Sequence, residues 1–86
     1  MKKLKEILYK VAIDGISGST DIDVTHISID SRTVEPGNMY VAIKGTQVDG
    51  HQFIDQAIEL GARSIICQNL PKTLAPGVVF IQVSDA

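Results

Sequence analysis

Three short, largely apolar runs without polar alternation constrain this chain most: residues 39–43, 64–67 and 78–83. A strand with one face in water alternates apolar and polar residues. A continuous run is what a strand covered on both faces requires. Three such runs demand layers above and below a sheet. The segment between the first two supplies one layer. Phe53, Ile54, Ala57 and Ile58 form an apolar stripe at helical spacing over residues 50–60. Asp49 is placed as its N-cap, and Gln52 stands three residues later, as in a capping box. Gly61 is placed to terminate it. Residues 39–67 therefore read strand–helix–strand, one βαβ unit with a right-handed crossover.

The flanks complete the sheet. Leu4, Ile7, Leu8 and Val11 make one face of a short helix over about residues 2–11. A brief strand fits Ile13–Ile16, and Gly15–Asp23 reads as a polar connection. Thr25, Ile27 and Ile29 alternate with His26, Ser28 and Asp30, which predicts a strand with one exposed face. Asn69–Gly77, with Pro71 and Pro76, is a loop. The fold class is α/β: a small, mostly parallel or mixed β-sheet flanked by helices, in a single domain over residues 1–86. Such a chain has 44% apolar residues and a net charge of −2. It is a folded globule and carries no basic footprint for nucleic acid. Lys2, Lys3, Lys5 and Lys10 read as a solvated helix face. No apolar stretch reaches membrane-span length, and the N-terminus lacks a signal-peptide pattern. The single cysteine, Cys67, lies in the apolar run and reads as a buried thiol. These features suit a reducing cytoplasm.

Ligands of open α/β sheets bind outside the carboxyl ends of the strands. Two polar loops are expected there: Ile29–Arg32, and the glycine-bounded Gly45–Gly50. Asp30-Ser31-Arg32 offers a carboxylate, a hydroxyl and a guanidinium, or simply a self-capped turn in which Arg32 pairs with Asp30. Pro36-Gly37 is a turn signal. The second loop offers a ligand-reading backbone or a helix-capping connection. Neither a P-loop nor a G-x-G-x-x-G motif occurs. His26 and His51 lack metal-ligand spacing, and His51 fits helix initiation. No carboxylates pair as an acid–base dyad, so no catalytic residue and no metal ligand is assigned.

Taken as one linked string, Ile27-Ser28-Ile29-Asp30-Ser31-Arg32, Pro36-Gly37, Tyr40-Val41-Ala42-Ile43-Lys44-Gly45, Asp49-Gly50-His51, Phe53-Ile54, Ala57-Ile58 and Gly61-Ala62 resembles the N-terminal domain of the Mur ligase family. The likeness spans almost the whole chain and is strongest to the MurE branch, with the MurF branch as the rival. It departs from the common form at Asn38, where an acidic residue is usual, and at Met39-Tyr40, where Leu-Phe is usual. The resemblance implies a domain that holds the uridine end of UDP-N-acetylmuramoyl-L-alanyl-D-glutamate in peptidoglycan synthesis. It carries nucleotide contacts onto Ile29, Ser31, Thr46, Gln47 and Val48. It implies a monomeric parent enzyme that uses ATP and Mg to join a diamino acid, meso-diaminopimelate or L-lysine, to that dipeptide. The ATP-binding and C-terminal domains are expected outside these residues, so the 86 residues alone should be inactive. A non-enzymatic α/β interaction module is the alternative from another class.

Overall fold

The computed structural model describes residues 2–9, 13–19, 21–42, 49–71 and 75–84. Its centre is a five-stranded mixed sheet built from β2 (Ile13–Ser17), β4 (Ile27–Ser28), β5 (Met39–Val41), β6 (Ser64–Cys67) and β7 (Val79–Val83), in the order β2-β7-β6-β5-β4. The pairs β4–β5, β5–β6 and β6–β7 are parallel, and β2 closes the sheet antiparallel to β7. A separate antiparallel pair joins β1 (Lys2–Lys3) to β3 (Asp23–Val24).

The register sorts the apolar runs onto two faces. Tyr40, Ile65 and Phe80 stand in one row, and Met39, Ser64 and Val79 in the next. The first row joins a core with Ala42, Cys67, Ala57, Ile54 and Ala62, under α2 (Ile54–Glu59). The second joins Ile66, Ile81, Val83 and Val24 under Leu4 and Leu8, at α1 (Leu4–Ile7). The sheet is thus covered on both sides, as the largely apolar runs require. β5, α2 and β6 form the expected strand–helix–strand unit.

Helix α2 ends on the glycine at its C-terminus. The Gly61 N–H donates to Ile58 O (3.0 Å) and the Ala62 N–H to Ala57 O (3.0 Å). Gly61 has φ +109°, and Ala57 and Ala62 are both fully buried. This is a Schellman closure with its apolar contact. Two Pro-Gly turns launch strands in the same way. Asn38 N–H donates to Glu35 O (3.0 Å) across Pro36-Gly37, just before β5. Val78 N–H donates to Ala75 O (3.3 Å) across Pro76-Gly77, just before β7. Gly37 and Gly77 have φ of +87° and +78°, the glycine position of a type II turn.

Four expectations need correction. The N-terminal helix is one turn, Leu4–Ile7, because Lys2 and Lys3 are drawn into pairing with Val24 and Asp23. The supposed polar connection after Gly15 contains the end of β2 and the start of β3. The alternation around Ile27 runs in the opposite phase: Ile27 and Ile29 are 56% and 67% exposed, while Ser28 is buried. β4 is an edge strand, and the layer over the α1 face does not cover its isoleucines. The segment before α2 is a 3₁₀ turn, Gly50–Phe53, in which the exposed Gln52 bonds Asp49 O through its backbone N–H (3.0 Å), not through a capping-box side chain.

Candidate functional site

A cleft of about 630 Å³ opens beyond the carboxyl ends of β4 and β5. Its size falls within the range of small-molecule sites. Ile29, Asp30, Ser31 and Arg32 form one wall, Tyr40 the floor, and Gly50, Phe53 and Gln56 the opposite wall. Each wall is a short 3₁₀ turn hung on a parallel strand.

The first wall satisfies itself. Asp30 caps the turn Ser31–Thr33 by accepting the Arg32 N–H at 2.9 Å. The same carboxylate takes Arg32 Nε at 3.1 Å and the terminal guanidinium nitrogen at 2.9 Å. Asp30 O accepts the Thr33 N–H (3.1 Å), and the Ser28 and Thr33 hydroxyls also reach it (3.2 and 3.0 Å). Hydrogen bonds from Arg32 hold the Asp30 carboxyl below its usual range, and Asp30 in turn raises the guanidinium. The self-capped turn is therefore the observed state of Asp30-Ser31-Arg32. The guanidinium is engaged bidentately by a carboxylate of its own loop. Ser31 is buried at the cleft edge, and Ile29 presents its side chain to solvent.

Side-chain hydrogen bonds of Tyr40 and His51 tie the second wall to the sheet. The Tyr40 hydroxyl donates to Gly50 O at 2.8 Å. Burial, then the negative charges of Asp30 and Asp49, raise the Tyr40 phenol above its ordinary range, so it stays a donor. Asp49 caps the turn by accepting the His51 N–H (3.0 Å) and lies 2.7 Å from His51 Nδ1. His51 Nε2 accepts the N–H groups of Gln68 (3.0 Å) and Asn69 (3.3 Å), just past β6. An acceptor at Nε2 and a carboxylate at Nδ1 assign the proton to Nδ1. His51 thus starts the turn, as its position suggested, and also clamps it to the neighbouring strand. Among the described residues no group of three or more His, Cys, Asp or Glu could hold a metal ion.

Of the residues assigned from sequence, Ile29 and Ser31 line the cleft; Thr46, Gln47 and Val48 lie outside the described residues. Tyr40, Phe53 and Gln56 were missed because their strand and helix positions read as core or solvent face. Only the tyrosine hydroxyl, a group that needs a partner when buried, signalled otherwise.

The sequence and fold match known proteins. The model of the Mur ligase family, catalytic domain, matches residues 23–85. The chain is 50% identical over 84 residues to a protein of Bacteroides fragilis, and 46% identical over 83 residues to one of Phocaeicola vulgatus. Both relatives are named UDP-N-acetylmuramoyl-L-alanyl-D-glutamate--2,6-diaminopimelate ligase. These alignments cover 98% and 96% of this chain but only 17% of each relative, so the chain spans about a sixth of their length. Among solved structures, MurF ligase from Thermotoga maritima in complex with ADP superposes with a TM-score of 0.62 at 32% identity. That match covers 70% of this chain and 13% of the other. The chain belongs to the Mur ligase family.

Proposed function

We propose that these 86 residues are the N-terminal domain of a MurE-type ligase, and that their cleft holds the uridine end of UDP-N-acetylmuramoyl-L-alanyl-D-glutamate. The carrying observation is 50% identity to a diaminopimelate-adding relative across 98% of the chain. The MurF neighbour is 32% identical over 70%. The cleft's place beyond the parallel strand ends supports a ligand site. Its chemistry suits a nucleoside. Ile29 and Phe53 offer apolar surface to a flat ring, while the Gln56 amide, loop backbone and Ser31 hydroxyl offer donors and acceptors. Arg32 is already paired to Asp30, so the described cleft presents little unopposed positive charge to a diphosphate.

We assign ATP to other parts of the enzyme, because this chain has no phosphate-binding loop motif. The role of this chain is to bind and orient substrate in a monomeric cytoplasmic enzyme. The chemistry belongs to parts of the enzyme beyond it, where ATP and Mg would bind. The test uses the longer protein that carries this chain. ADP release should require UDP-N-acetylmuramoyl-L-alanyl-D-glutamate together with meso-diaminopimelate or L-lysine. Turnover only with the tripeptide precursor and D-alanyl-D-alanine would assign the MurF branch. No ligase activity, with a protein partner bound at the cleft instead, would leave an interaction module.

A further inference from the structure

We propose that Tyr40 is a positioning residue for nucleotide binding, whose hydroxyl fixes the Gly50 carbonyl and so sets the cleft wall formed by Gly50–Phe53. The inference rests on reading the cleft as a nucleotide site. Tyr40 is held rigidly. It lies in β5 between Ser28 of β4 and Ile65 of β6, and it is 1% exposed. From there its side chain reaches ten residues along the chain to Gly50 O at 2.8 Å. Tyr40, Gly50 and Phe53 all line the cleft. The bond is therefore not a remote core contact but a strut within the site.

The His51 clamp differs in kind. His51 joins the turn to the backbone beyond β6, and His51 is not among the residues that line the cleft. Without the Tyr40 bond the His51 clamp still attaches the turn to the sheet, but the Gly50 carbonyl loses its tie to β5 on the cleft side. A carbonyl whose direction is fixed before the ligand arrives needs no ordering on binding, and preorganisation of this kind shows in affinity. A phenylalanine at position 40 keeps the ring and its packing while removing only the strut.

The experiment titrates UDP into the chain by NMR, for wild type, Tyr40→Phe and Ile81→Val, at a temperature where all three are folded. Ile81 lies in the core on the α1 face, away from the cleft, and controls for a general loss of stability. Tyr40→Phe should weaken UDP binding by about three- to tenfold, the change that one net hydrogen bond gives. The amide signals of residues 50–53 should move in the free variant. Ile81→Val should bind as wild type does. Equal affinity in Tyr40→Phe and wild type overturns the proposal, and so does an equal loss in both variants. No binding by folded wild type defeats the nucleotide reading as well. A second measurement needs no variant. The chain has two tyrosines, and Tyr9 is 81% exposed. With 3-fluorotyrosine incorporated, the Tyr40 fluorine should shift on adding UDP while Tyr9 serves as reference. A Tyr40 signal blind to saturating UDP overturns the assignment.

Discussion

Gly61→Ala should be among the most damaging single-methyl changes in this chain. Gly61 has φ +109°, and a Cβ built there would lie 2.6 Å from Pro36 Cα and 3.1 Å from Pro36 Cβ and Cγ. The obstacle is backbone of the Pro36-Gly37 turn, which cannot swing aside as a flexible side chain can. The same junction carries the Gly37 N–H to Gly61 O bond of 2.9 Å. Placing an L-residue at such a φ costs about 1–2 kcal/mol. Forcing packed backbone apart adds about 1–3 kcal/mol. The stiffer unfolded chain returns about 0.4–1 kcal/mol. The net loss is about 1–5 kcal/mol, a large part of the stability of a domain this small. Gly77 provides the internal control. Its φ is +78°, yet a Cβ there would meet nothing within 4 Å. Gly77→Ala carries only the conformational term, roughly 1 kcal/mol or less after the same correction. Thermal melts of the two variants separate strain from collision. Gly61→Ala should melt roughly 4 °C or more below Gly77→Ala, the collision term at about 4 °C per kcal/mol for this length. Gly77→Ala should stay within a few degrees of wild type. Equal melting of the two would refute the close approach of α2 to the Pro-Gly turn.

Two further outcomes follow from Cys67 and His51. Cys67 is fully buried, and burial pushes its thiol above the ordinary range, so a thiol reagent should react slowly in native buffer and rapidly in denaturant; equal rates would contradict the two-sided cover of β6. His51→Leu fills similar space but leaves the Gln68 and Asn69 N–H groups without their acceptor, costing about 1–3 kcal/mol in chemical denaturation, and an unchanged midpoint would show that water replaces the ring.

Much of the fold was legible because its signals are local. The largely apolar runs at 39–43, 64–67 and 78–83 called for covered strands, and β5, β6 and β7 lie within them. The apolar stripe and Gly61 marked α2, whereas Asp49 caps the 3₁₀ turn ahead of it. The errors arose where tertiary position overrides pattern. Ile27 and Ile29 alternate as a core face would, but β4 is the sheet edge and its isoleucines are left in solvent. Lys2 and Lys3 carry no strand signal; their pairing is set by β3, some twenty residues away. The cleft was legible only on one side. Ile29 and Ser31 lie on a loop that sequence order alone places at a strand end. Tyr40, Phe53 and Gln56 join it through the parallel register of β4 and β5 and through the 3₁₀ turn that opens α2. None of that is written in local spacing.

The most direct test of the account is where a uridine nucleotide perturbs the chain. With UDP at concentrations on the order of millimolar, suited to a domain that holds only one end of its substrate, amide shifts should concentrate at Ile29–Arg32, Tyr40, Gly50–Phe53 and Gln56. The α1 segment Leu4–Ile7, on the far face of the sheet, should be nearly silent. Shifts confined to α1, or none while the protein remains folded, would contradict the claim that this cleft is the substrate site.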